Sequence, residues 1–72
     1  MTNERVFIEN QKYKEFHNMN VGIDYIEWKN GDRGYIYFEE DYIGNRSEAF
    51  YKTIEKALFE FNGASDYFRE KD

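Results

Sequence analysis

The chain has 72 residues and a formal charge of −5, and 21% of its residues are aromatic. This length is typical of one small domain, and its Phe, Tyr and Trp side chains can supply a core from few positions. The absence of cysteine excludes disulfides, thiolate metal sites and cysteine nucleophiles. No apolar run is long enough to span a bilayer, so we expect a single cytoplasmic domain over residues 1–72 that does not bind membranes.

The first predicted element is a strand near the N-terminus. Residues 5–9 (RVFIE) have the composition of a strand, with Val6 and Ile8 opposite in phase to Phe7. Residues 13–16 form a second extended stretch. Together they predict one strand that precedes the rest of the sheet.

A β-hairpin over residues 21–40 is the next predicted element. Asn30-Gly31 is the preferred pair for a two-residue type I′ turn, because both positions of that turn need a positive φ. Counting outward from this turn pairs Ile26 with Tyr35. A loop with an odd number of residues would shift the register and change which side chains share a face.

Alternation along the two strands assigns their side chains to two faces. The face predicted to lie under a helix carries Val21, Ile23, Tyr25, Ile36 and Phe38. The second face mixes aromatic and charged side chains, with Arg33 against the Trp28 ring. Two interpretations of this second face stay open: the N-terminal segment or the tail covers it, or it is a contact site for another protein.

The residues after the hairpin predict an α-helix over about 46–61. Asn45 and Glu48 have the spacing of a capping box, and Asn62-Gly63 is a typical helix stop. An apolar stripe at helical spacing consists of Phe50, Ile54, Ala57, Leu58 and Phe61. The tail can add a short helical turn. The sequence therefore predicts an α+β fold, in which one helix packs on one face of a three-stranded antiparallel sheet.

No residue pattern typical of an enzyme, a metal site or a cofactor site occurs in the chain. The one histidine, His17, lies in a polar stretch, and the glycines form neither a dinucleotide-binding nor a P-loop pattern. The acidic run Glu39-Glu40-Asp41 lacks the ligand spacing of a calcium loop. We predict no catalytic, metal or cofactor site, and interpret the acidic run as a solvated strand end or a partner contact.

The composition favours a protein that acts by binding another protein. Lys and Arg form no cluster, so direct binding of nucleic acid is not expected. Our leading hypothesis is a small acidic protein-binding module of the kind that phages encode, which inhibits or regulates a nucleic-acid-processing protein. In one version its carboxylates imitate DNA phosphates. The predicted partner-binding residues are Asp24, Ile26, Trp28, Arg33, Tyr35, Tyr37, Glu39, Glu40 and Asp41.

Two alternatives to this hypothesis remain. One is a structural homo-oligomer, such as a homodimer, whose subunits pair through their sheets. The other rests on topology: a three-stranded sheet with one helix resembles, in outline, the small DNA-binding modules of some phage and transposon integrases. That resemblance implies a basic face that enters the DNA groove, whereas the second face here carries Asp24 and aromatic residues.

Overall fold

The computed structural model describes residues 4–71 and contains a four-stranded antiparallel sheet followed by one α-helix. The elements are β1 (Arg5–Glu15), β2 (Met19–Trp28), β3 (Arg33–Asp41), β4 (Arg46–Tyr51) and α1 (Ile54–Lys71). The strands lie in the order β1-β2-β3-β4, so each strand pairs with its neighbour in the chain. The predicted α+β class and the single helix on one face are confirmed. The predicted number of strands, three, was wrong.

The extra strand, β4, occupies residues where the sequence predicted the first half of the helix. Its Phe50 pairs with Ile36 on β3 and so belongs to the sheet. The turn before β4 is organised by Asp41, whose carboxylate accepts hydrogen bonds from the backbone N–H groups of Ile43 (3.1 Å) and Asn45 (2.8 Å). Asn45 therefore completes a strand-to-strand turn and does not cap a helix.

Helix α1 starts later and runs further than predicted. It begins at Ile54 and continues through Asn62-Gly63 to Lys71, so the predicted C-terminal turn is part of the same helix. The helix positions that are buried or half-buried recur at intervals of three and four: Ile54, Ala57, Leu58, Phe61, Ala64, Ser65 and Phe68. This stripe holds the helix on the sheet, and its last three members stabilise the turns beyond Gly63.

Residues 29–32 separate β2 from β3, and a backbone hydrogen bond between Trp28 and Asp32 closes a three-residue loop over 29–31. The backbone N–H of Trp28 donates to the Asp32 carbonyl (2.7 Å), and that of Gly31 donates to the Trp28 carbonyl (3.0 Å). Within the loop only Gly31 has a positive φ, 97°, whereas a type I′ turn needs two such residues. The predicted turn type was wrong, and the strands pair one residue away from the predicted register, with Ile26 opposite Gly34.

The main core lies between α1 and the sheet. Its buried members come from β2, β3 and the helix: Val21, Ile23, Tyr37, Ala57 and Phe61. Val21 and Ile23 lie on the helix side, as the sequence predicted. We call the opposite side of the sheet the open face, because no helix or strand among residues 4–71 lies over it.

Candidate functional site

The register shift divides the predicted contact face between the two sides of the sheet. Tyr35 and Tyr37 lie on the helix side, where Tyr37 is buried in the main core and its hydroxyl donates to Glu39 Oε2 (2.5 Å). The prediction that these tyrosines share a face with Trp28 was wrong. Moving β3 by one residue reverses the direction of each of its side chains, so Ile36 and Phe38 point to the open face instead.

The open face contains a second, smaller core. Ile26, Ile36 and Phe38 are buried there, and Trp28 packs against them. Ile26 is 0% exposed, although no helix crosses this side. Side chains from the sheet itself must therefore cover this core.

Part of the cover comes from aromatic rings that lie directly on glycines. The Phe38 ring lies over Gly22 on β2, and the Phe50 ring lies over Gly34 on β3. A Cβ atom on Gly34 would lie 2.6 Å from Phe50 Cζ, which is closer than atoms can pack. The missing side chains let the rings approach the backbone, and the rings in turn shield that backbone from water.

The rest of the cover is a group of paired charges that we call the arginine lid, formed by Arg5, Arg46, Glu48 and Asp24. The Arg46 guanidinium lies 4.0 Å from the centre of the Phe38 ring and bonds Glu48 (2.8 Å) and Asp24 (3.5 Å). Arg5 lies 5.2 Å from the centre of the Trp28 ring and bonds the same Glu48 at 2.7 Å. Each guanidinium lies over an aromatic ring while its N–H groups bond at least one carboxylate.

The arginine lid also joins the two edges of the sheet. Arg5 is on β1 and Glu48 is on β4, with two strands between them. The strand register places Arg5 level with Trp28 of β2 and Glu48 level with Gly22, six residues away. On a flat sheet the two residues would be about 14 Å apart across the strands and about 20 Å apart along them, so the sheet curls toward the open face. The hydrogen bond from Arg5 lowers the pKa of Glu48 most; burial opposes this effect, and Arg46 adds to it.

These contacts give three of the predicted partner-binding residues a structural role. Ile26 and Trp28 belong to the second core, and Asp24 belongs to the arginine lid. Arg33 does not lie against Trp28, since Arg5 occupies that position; Arg33 pairs with Glu27 on the exposed end of β3. Whether a partner contacts these residues stays a prediction.

The acidic run does not form one continuous patch. Glu39 is on the helix side, bonded to Tyr37, while Glu40 approaches Arg46 at 3.9 Å on the open face. Burial raises the pKa of Asp41, but hydrogen bonds from Asn45 and other turn residues outweigh it, so the pKa is lowered. Of the three carboxylates, Glu39 is the one placed beside a surface depression with exposed aromatic rings.

That depression lies on α1, and we call it the helix groove. Phe59 is 79% exposed and Tyr67 is 57% exposed, and Gly63 lies midway between them at intervals of four residues. The groove has a volume of about 330 Å³ and is lined by Glu39, Phe59, Glu60, Gly63, Ala64, Tyr67 and Phe68. A helix that ends at Asn62-Gly63, as the sequence predicted, would place Phe59 and Tyr67 on different elements, so this groove was not predicted. The sequence signal for this groove is the spacing of four residues from Phe59 to Gly63 and from Gly63 to Tyr67, which places all three on one face of a helix.

The helix groove is negatively charged. Glu39 and Glu60 are its only charged lining residues in the described part of the chain. The pKa of the Tyr37 hydroxyl is raised, most of all by burial and next by its hydrogen bond to Glu39. The negative charge of Glu60 adds to the increase. Two carboxylates and two exposed rings therefore surround one glycine.

The opposite side of α1 has a different character. A second depression of about 440 Å³ lies there, lined by Lys12, Lys14, Leu58, Phe61, Asn62, Ser65 and Asp66. The two lysines come from β1 and face the Asp66 carboxylate, which bonds Arg69 at 2.9 Å. This depression therefore has two lysines beside its one carboxylate, whereas the charged residues that line the helix groove are both glutamates.

The described residues contain no metal-binding cluster. Among residues 4–71, no three His, Asp or Glu side chains come together as ligands would. Within the same range, α1 is too polar to cross a membrane. The candidate site is the helix groove, where exposed aromatic rings and two carboxylates line one depression.

Comparison with known proteins found no match to the chain among family models, curated proteins or solved structures.

Proposed function

We propose that this chain is a small acidic protein-binding module that inhibits or regulates a nucleic-acid-processing protein by direct contact, without catalysis. The observation that carries the proposal is the helix groove, where Phe59 exposes 79% of its surface beside Tyr67. Exposed aromatic side chains that flank a concave site are typical of the residues that dominate binding energy in protein interfaces. A helix also holds them in fixed positions, which lowers the entropic cost of binding.

The helix groove is a better contact surface than the open face. On the open face the apolar residues Ile26, Ile36 and Phe38 are already buried, and the arginine lid is paired within the chain. A partner docking there would have to displace these ion pairs, which costs free energy. In the helix groove the aromatic rings are already exposed, so a partner gains apolar burial without breaking a charge pair.

The charge of the chain supports a basic partner. The formal charge is −5, and proteins that process nucleic acids present basic surfaces to their substrates. The two arginines of the lid are engaged with Glu48, so they add little to a phosphate-binding surface. Imitation of DNA phosphates is a less favoured version of the proposal, because Glu40 lies on the other side of the sheet from Glu39 and is close to Arg46, so the acidic run is not one row of free charges.

The test is affinity capture of the partner from the native host with matched aromatic variants. The Phe59→Ala/Tyr67→Ala double variant should retain less than about a tenth of the captured partner, since central aromatic contacts are each worth about 2 kcal/mol in an interface. The control is Tyr42→Ala, which removes a ring that is 77% exposed in the β3–β4 turn and should capture as wild type does.

A third variant tests the open face. Tyr13 is 51% exposed on that side, next to the Phe38 ring. If Tyr13→Ser abolishes capture and the double variant does not, the contact surface is the open face and the proposal for the helix groove is wrong. Circular dichroism of each variant shows that it is folded.

A further inference from the structure

We infer that the helix groove binds an arginine side chain in a basic segment of the partner. This inference rests on the proposed function and adds the chemistry of the ligand. It follows from the combination of two aromatic rings, two carboxylates and one glycine in a single depression.

The spacing of the rings suits a flat cation. Each residue of an α-helix rises about 1.5 Å, so Phe59 and Tyr67 each lie about 6 Å along the axis from Gly63. A guanidinium placed over Gly63 therefore lies between these two groove-lining residues. The Tyr67 side chain leans toward the helix N-terminus, as helical side chains do, and so approaches the guanidinium for cation–π attraction. A Cβ atom built on Gly63 meets no atom within 4 Å, so the space above this residue is open.

The carboxylates suit the same ligand. Glu39 is oriented by the Tyr37 hydroxyl at Oε2, which leaves Oε1 for a second donor, and Glu60 lies on the helix beside it. A guanidinium presents several N–H donors in one plane and can satisfy two carboxylates while its faces contact aromatic rings. An ammonium group has no such plane, so we expect arginine to be preferred over lysine.

The experiment is an NMR titration of the ¹⁵N-labelled protein with an acetylated, amidated tetra-arginine peptide. Backbone amide signals of Glu39, Phe59, Gly63 and Tyr67 should shift more than those at exposed carboxylates elsewhere, such as Glu55. The matched probe is a tetra-citrulline peptide, which has nearly the same shape but no charge and should leave these signals in place. A tetra-lysine peptide should bind at least about threefold more weakly than tetra-arginine.

A groove-filling variant provides the second arm of the test. Gly63→Leu fits the open space and replaces a poor helix former with a good one, so it should fold. It should weaken tetra-arginine binding at least about tenfold, because the leucine occupies the place of the guanidinium. Tyr42→Ala should bind the peptide as wild type does.

The possible outcomes separate the inference from the proposed function. The arginine inference is overturned if the signal shifts are spread evenly over all carboxylates, or if the citrulline peptide binds as well as tetra-arginine. It is also overturned if Gly63→Leu binds tetra-arginine as wild type does. If tetra-arginine fails but Phe59→Ala/Tyr67→Ala still loses the partner, the helix groove binds protein through other chemistry. If the double variant captures the partner normally, the proposed function of the groove is wrong whatever the peptide does.

Discussion

Gly22 and Gly34 show how single residues create the second core. Each lies on a central strand beneath an aromatic ring of the neighbouring strand, Phe38 over Gly22 and Phe50 over Gly34. A sheet with only one covering helix would normally leave such rings in water. Here the outer end of each ring lies against a glycine, and Phe38 is only 5% exposed beneath Arg46.

Substitution of Gly22 by Ala should therefore destabilise the protein. The new Cβ atom would overlap the Phe38 ring and would lie 2.7 Å from the Lys12 carbonyl oxygen, which is backbone and cannot move without disturbing the β1–β2 pairing. Overpacking of this kind costs about 2 kcal/mol, measured as a lower free energy of unfolding in urea. An unfolding midpoint equal to that of wild type would show that the ring does not rest on Gly22.

Alternation along β2 was enough to assign Asp24, Ile26 and Trp28 to one face, because period two is a local property of a strand. It could not identify what covers them. Arg5 and Glu48 are 43 residues apart in the sequence, and their contact depends on the curl of the whole sheet. The sequence could therefore predict an aromatic, charged face but not that its charges form a lid.

At the scale of elements, the register of the hairpin depends on one loop residue. Asn30-Gly31 correctly indicated a tight reversal, yet a type I′ turn and a three-residue loop with a left-handed glycine both favour this pair. The two loops differ by one residue in register, and that difference moved Tyr35 and Tyr37 from the predicted contact face to the helix side.

Helix α1 shows a second limit of local patterns. Phe50 lies four residues before Ile54, so the apolar spacing of the true helix extended into β4 by chance. At the other end, Asn62-Gly63 has the form of a helix stop, but Phe61, Ala64 and Phe68 continue the buried stripe past it. Packing against the sheet outweighs the low helix propensity of one glycine, which is about 1 kcal/mol.

The stability of Gly63→Ala tests whether Gly63 lies inside the helix or at a helix stop. Inside a helix, with open space around the new Cβ atom, alanine should raise the free energy of unfolding by about 0.5–1 kcal/mol. At a helix stop, where glycine adopts a positive φ, the same change would lower it. Gly44→Ala is the matched control, because Gly44 has a φ of 97° and alanine there should destabilise the turn by about 1 kcal/mol. Thermal or urea unfolding gives the sign of both effects.

The outer edge of β1 is the part of the sheet most open to another chain. All 11 residues of the strand are exposed, and its pairing with β2 is interrupted by irregularities between Arg5 and Phe7 and between Asn10 and Lys12. Such bulges are a common way to discourage edge-to-edge pairing. They argue against a dimer that pairs edge to edge along β1. A homodimer whose sheet faces pair across a twofold axis stays a prediction on which these bulges do not bear.

At the scale of the whole molecule, one sheet separates two cores that are closed in different ways. The helix covers Val21, Ile23 and Tyr37 on one side. On the other side the cover consists of Arg5 and Arg46, which are long, flat and charged. Residues 4–71 thus form a buried core on each side of the sheet with one helix, and the outer surface of that helix carries the helix groove.

The arginine lid should make the stability of the second core depend on pH. The pKa of Glu48 is lowered in the folded protein, chiefly by the hydrogen bond from Arg5, relative to its ordinary value of 4.5. A lowered pKa means that Glu48 contributes stability that is fully present above about pH 4.5 and is lost as the pH falls through the folded-state pKa. Glu48→Gln should therefore be less stable than wild type near pH 7, and the difference should shrink as the pH falls to about 3.

Urea unfolding of both proteins across this range measures the difference, and titration of the carboxylates that do not contact Arg5 or Arg46 cancels because their surroundings are the same in both proteins. In an Arg5→Gln background the pH dependence of the difference should be smaller, since the largest cause of the lowered pKa is gone. A difference that stays constant from about pH 7 to about pH 3 would mean that Glu48 does not gain from the two arginines in solution. The open face would then lack its ionic cover, and Trp28 and Phe38 would again be candidates for contact with a partner.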